Sequence, residues 1–141
     1  MKFGFAVCLA VLAVGAAAHE YAIDKLTIGH PWAPASHGKT AAVYLTFVND
    51  GPKSDRLLGV STPIAEQASL HSNEKMDGMV HMQQLPGIDI PAGQTIELKP
   101  GEMHIMLEGL KHPFKEGEMV PLTLTLANEG EVKVEVMVMG E

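Results

Sequence analysis

Between Val120 and Met139 the chain alternates apolar and polar residues with a period of two, interrupted once by Asn128-Glu129-Gly130. Leu122, Leu124 and Leu126 fall on one side and Thr123 and Thr125 on the other; beyond the interruption Val132, Val134, Val136 and Val138 resume the apolar side. A strand sends successive side chains to opposite faces, whereas a helix would scatter this set around its circumference. Because Asn-Glu-Gly suits a hairpin turn, this end of the chain is committed to two antiparallel strands with one buried face.

The rest of the sequence reads the same way. Strands are predicted over 21–28, 40–49, 56–61, 66–71, 79–84, 94–99, 103–107, 120–127 and 131–139. They are separated by turn-forming clusters such as Asn49-Asp50-Gly51-Pro52, Pro91-Ala92-Gly93, Pro100-Gly101 and Glu116-Gly117. No amphipathic helix, internal repeat or low-complexity tract is evident. Many short strands in a chain of 141 residues imply an all-β fold, an antiparallel sandwich or small barrel with Greek-key connections.

Residues 1–18 read as a cleaved signal peptide: Lys2 supplies the positive start, Phe3 to Val14 an apolar run too short to span a bilayer, and Ala16-Ala17-Ala18 a small-residue cleavage site. The expected mature chain is one domain, 19–141, starting at His19, exported to the periplasm without a membrane anchor, and a monomer. Loss of Lys2 takes the formal charge from −7 to −8, which argues against nucleic acid or anionic lipid as a partner.

Cys8 is the only cysteine. It lies inside the signal peptide, with nothing after it that resembles a lipoprotein cleavage arrangement. The expected mature chain therefore has no thiol, which excludes disulfides, thiolate zinc sites, redox dithiols and a blue-copper centre. Thioethers remain as the soft ligands, and five of the eight methionines after Met1 fall between Met76 and Met106.

Within that window His71, Met82, His104 and Met106 form the pattern His-x10-Met-x21-His-x-Met. Two imidazoles and two neutral thioethers make a soft ligand set suited to Cu(I). On a strand, His104 and Met106 share a face and can grip one ion while Met103, Ile105 and Leu107 point into the interior. By the same alternation Ala68 and Leu70 face inward and His71 outward. The site is therefore expected near the surface and within reach of a partner.

These residues sit among others that resemble the periplasmic copper chaperones known as PCu(A)C or DUF461 proteins. The resemblance runs through Pro31-Trp32-Ala33-Pro34-Ala35, Ala41-Ala42-Val43-Tyr44-Leu45, Leu70-His71, Gly78-Met79-Val80-His81-Met82, Ile90-Pro91-Ala92-Gly93, Leu98-Lys99-Pro100-Gly101, His104 to Leu110 and Pro121 to Leu124. It implies a cupredoxin-like β-sandwich and a metal motif at His71, Met82, His104 and Met106. It also implies delivery of Cu(I) to the CuA subunit of cytochrome c oxidase, directly or with a Sco-type protein. The His- and Met-rich C-terminal extension of some members is not matched before Glu141.

The remaining candidates carry less. His30, His37 and His112 stand beside Pro or Gly in expected loops, and alternation turns His81 away from Met82. Met76 and Met79 are alternative thioethers outside the expected set, and Trp32 is expected to pack. His19, once it bears the free α-amine, could chelate Cu(II) in the manner of a copper enzyme. No Ser/His/Asp arrangement or phosphate loop stands out, so a non-enzymatic carrier is expected, with copper resistance or storage as the alternative.

Overall fold

The computed structural model describes residues 20–140. The expected signal peptide, Cys8 and His19 lie outside the described residues. Eleven strands are present among them and no helix, so none is long and apolar enough to cross a membrane. In chain order they are β1 (Glu20–Ile23), β2 (Leu26–Pro34), β3 (Thr40–Asn49), β4 (Asp55–Ser61), β5 (Ala65–Met76), β6 (Met79–Leu85), β7 (Ile88–Ile90), β8 (Thr95–Leu98), β9 (His104–Leu110), β10 (Met119–Leu126) and β11 (Gly130–Met139).

Hydrogen bonding follows one path, β6-β5-β9-β3-β2-β11-β10-β4-β7, with β1 attached to β2 and β8 to β3. Strand β3 is the pivot. Its first half, Thr40 to Val43, pairs with β9, and its second half, Leu45 to Val48, pairs with β8. The sheet folds over there, β4 comes against β5, and one core forms between the two halves. Its members include Val43, Phe47, Leu70, Ile105, Leu107, Leu122, Leu124, Val134 and Val136. Burial of each such side chain contributes roughly 1.5–3 kcal/mol. The result is an all-β, cupredoxin-like architecture.

The sheet is mixed rather than wholly antiparallel. Met137, Val138 and Met139 of β11 run parallel to Trp32, Ala33 and Pro34 of β2. No short turn joins these two strands, so nothing in their connection imposes an antiparallel pairing.

Local chemistry explains the other departures. The predicted strand 21–28 is a hairpin of β1 and β2 about Asp24, whose φ of 55° is a left-handed conformation that Asp tolerates. The Pro31 to Pro34 segment lies in β2 rather than in a loop. Its register shifts between Gly29 and Trp32, placing His30 (φ 49°) and Pro31 in a bulge where a missing N–H is harmless. Strand β5 outruns its predicted end and turns into β6 at Asp77-Gly78, both at positive φ as a tight hairpin requires. The unpredicted β7 is short, pairs with β4, and places Ile88 and Ile90 in the core.

Candidate metal centre

Strands β6, β5, β9 and β3 lie side by side, and their register decides which residues can meet. Leu70 pairs with Ile105 and Ala68 with Leu107, all turned toward the core. That apolar register puts His71 directly opposite His104 on the other face. Met106 is opposite Ser69, one step along the same face, and Met82 is opposite Asn73, two residues beyond His71 on β5. Side chains two apart on a strand, and partners across a ladder, share a face. All four residues singled out from the sequence therefore occupy one face of three adjacent strands.

The imidazoles are oriented before any ion arrives. Their ring centroids are 5.8 Å apart with planes inclined at 34°, a span that fits an ion bridged by two metal–imidazole bonds of about 2 Å each. His104 Nδ1 donates to the Glu102 carbonyl at 3.0 Å, which leaves Nε2 with a free lone pair. His71 Nε2 lies 2.8 Å from Ser69 Oγ. Its Nδ1 is shut off from solvent and has no hydrogen-bond partner. A buried polar atom left unpaired costs about 1–3 kcal/mol, and a metal at Nδ1 would remove that cost. Donation from Nε2 to Ser69 gives the tautomer this needs.

The surroundings correct one expectation. His104 was expected to face solvent but is only 4% exposed. Alternation fixes the side of a strand on which a residue lies, not what covers that side. Here Tyr44 stands 6.5 Å from the His104 ring, centroid to centroid, and Trp32 packs on Tyr44 at 5.0 Å. His71 and Met106 are half-buried, while Met82 is 53% exposed. The pair of imidazoles forms a sheltered floor, and Met82 on the β5–β6 hairpin forms an accessible rim. Burial pushes the Tyr44 phenol above its ordinary pKa, which keeps this wall neutral and adds no anionic oxygen to a soft site.

Tyr44, Ser69 and the Glu102 carbonyl were not singled out from the sequence. Ser69 is two residues before His71 and shares its face, which is a detectable signal; the proximity of Tyr44 depends on pairing between distant strands. His81 pairs with Glu74 and faces away from Met82, as alternation implied. Met79 also lies on that opposite face and is exposed. Among the described residues, no three His, Cys, Asp or Glu side chains gather as a metal cage. On this face Met106 and Met82 are the thioethers that the register sets nearest the imidazole pair.

Among solved structures, copper-binding domains are similar to this chain in fold. A solved structure of the copper-bound PCuAC domain from PmoF2 superposes with a TM-score of 0.73 at 26% identity, covering 87% of this chain and 99% of that domain. The Cu(I) form of DR1885 from Deinococcus radiodurans gives 0.60 at 32% identity, covering 77% and 76%. The protein named "Putative lipoprotein Lxx21020" of Leifsonia xyli subsp. xyli is 31% identical over 106 residues, which make up 74% of this chain. The match spans 64% of that relative's length. The family model described as "Putative lipoprotein LpqE-like" matches residues 26–138, and the chain therefore belongs to the LpqE-like family.

Proposed function

We propose that this protein is a non-enzymatic Cu(I) chaperone of the cell envelope, holding one ion through His71, His104, Met106 and Met82. The observation that carries the reading is the directly opposed pair of imidazoles, one with a buried unpaired Nδ1 and the other with a free Nε2. Thioethers on the same face bias the site toward the softer oxidation state. The copper-bound PCuAC domain and the Cu(I) form of DR1885 support copper as the cargo. The names of the lipoprotein relatives support export, in line with the signal peptide read from residues 1–18.

A carrier must release what it binds. The sheltered imidazoles supply retention, and the exposed Met82 supplies a ligand that an incoming thiolate can displace without opening the core. Delivery to the CuA subunit of cytochrome c oxidase, directly or through a Sco-type protein, is the reading we favour. Copper storage or resistance is the alternative that uses the same site.

Anaerobic Cu(I) titration of the exported form against a chromophoric chelator tests the site. A first equivalent lost in His104→Ala and Met106→Leu is expected. Retention of that equivalent in both variants would remove the assignment.

A further inference from the structure

A second group of soft donors lies on the same sheet face, outside the site described above. Ladder partners place Met119 beside Met137, Met137 beside Trp32, and Trp32 beside Tyr44, whose ring neighbours His104. The row thus runs from one methionine-rich end across two aromatic rings to the paired imidazoles. At its far end an open pocket of about 470 Å³ is lined by His30, Trp32, Met137 and Met139.

The placement of these methionines is not that of core filler. Every buried position of β10 and β11 is Val or Leu, whereas Met119, Met137 and Met139 all lie on the opposite face. Met119 and Met139 are 40% and 46% exposed. Polarizable sulfur at these positions gains no core packing that a leucine would lack. His30 reaches the pocket because the β2 bulge holds it at φ 49°. Glu20 Oε2 lies 4.0 Å from His30 Nε2, at the rim of this pocket.

We propose that His30, Met137 and Met139, set over the Trp32 indole, form a second site for a soft monovalent cation, Cu(I) or Ag(I). Two thioethers and an imidazole supply the donors, and the aromatic face adds a cation–π attraction. His30 and Met139 are open to solvent, so this site binds more weakly and exchanges faster than the sheltered one. It does not depend on the first site being correctly assigned.

Trp32 is the only tryptophan, which gives the site its own optical signal. The double variant His71→Ala/His104→Ala, without its paired imidazoles, is titrated anaerobically with Cu(I) and separately with Ag(I). Saturable quenching of Trp32 emission at one equivalent is expected. Met137→Leu/Met139→Leu, a volume-conserving change, should abolish the quenching. His30→Asn, which keeps a residue tolerant of left-handed backbone, should weaken it by roughly tenfold or more.

If the double variant does not fold, the same readings are taken on the wild-type chain after its first equivalent is bound. Absence of quenching in folded protein would overturn the proposal, as would quenching that survives loss of both methionines. Loss of the second equivalent in His19→Ala, with the methionine variants unaffected, would overturn it by assigning the ion to the chain terminus.

Discussion

His71 and His104 are direct cross-strand partners on β5 and β9, with Leu70 opposite Ile105 one residue further along the ladder and on the opposite face. A slip of one residue would drive both imidazoles into the core and expel Leu70 and Ile105 to the metal face. The apolar register and the ligand register are therefore the same constraint. Folding the core brings the two imidazoles together, so on the proposed reading little ordering cost is left for the ion to meet.

Coordination by both nitrogen and sulfur is the first expected outcome. X-ray absorption of the protein with one equivalent of Cu(I) should show light scatterers and sulfur together, and oxidation should produce no intense blue species, since no thiolate is available among the ligands. Met106→Leu should weaken Cu(I) more than Cu(II). Met139→Leu should leave this first equivalent unchanged. An all-nitrogen-and-oxygen shell would remove the thioethers from the site.

Proton competition provides a second test. An imidazole must be deprotonated to ligate, whereas a thioether does not titrate, so affinity for the first equivalent should fall as pH is lowered. His71→Ala, which leaves His104, Met106 and Met82 in place, should make this dependence shallower. A variant that keeps the full pH response would mean that the relevant protons act elsewhere.

These tests separate what local sequence shows from what pairing adds. The alternation of Leu122 to Val138 made β10 and β11 legible, and the side of β9 that carries His104 and Met106 followed from the same period. The turn at Asp24 was hidden because Asp24-Lys25 carries no Gly or Pro, although the apolar positions change phase there, from Tyr21 and Ile23 to Leu26 and Ile28. Pro31 and Pro34 suggested a loop because a bulge and a parallel partner are not local properties. Likewise, the shelter over His104 comes from Tyr44 on β3 and Trp32 on β2, and the juxtaposition of His30 with Met137 comes from a parallel pairing more than 100 residues apart in sequence.

Tyr44 supplies an alkaline test of the wall beside the site. Burial raises its pKa above the ordinary value of 10.0, so its contribution to stability is full below that value and is lost as pH rises through the folded-state value. In between, the unfolded phenol ionises while the folded one stays neutral, and linkage favours unfolding. Tyr44→Phe should therefore lose stability less steeply above about pH 10 in denaturant titrations. Identical alkaline slopes would show that the phenol is not sheltered.

Asp55 ties the β10–β11 turn to the start of β4, where its carboxylate accepts from the backbone N–H groups of Arg56 at 2.7 Å, Asn128 at 2.8 Å and Glu129 at 3.2 Å. Asp55→Ala strands these donors and should destabilise the fold by roughly 2 kcal/mol. Cu(I) affinity measured below the unfolding transition should be unchanged. A copper defect in the folded variant would reveal coupling between the β10–β11 turn and the metal face.

Delivery is the most demanding outcome, and it follows from the unequal exposure of the ligands. His104 is buried and Met82 is 53% exposed on the β5–β6 hairpin, so on the proposed reading an acceptor thiolate would meet the site from the Met82 side. Attack on Cu(I) as that thioether departs keeps the ion coordinated throughout, and exchange need not wait for free copper to appear. The loaded protein should therefore metallate an apo CuA domain or a Sco-type protein faster than it loses copper to a non-interacting chelator. His104→Ala should abolish transfer by preventing loading. Met82→Leu should retain part of the loading, through the paired imidazoles and Met106, and should change the transfer rate more than the affinity. If transfer only tracks spontaneous release and no acceptor accelerates it, storage or resistance becomes the better description of the same site.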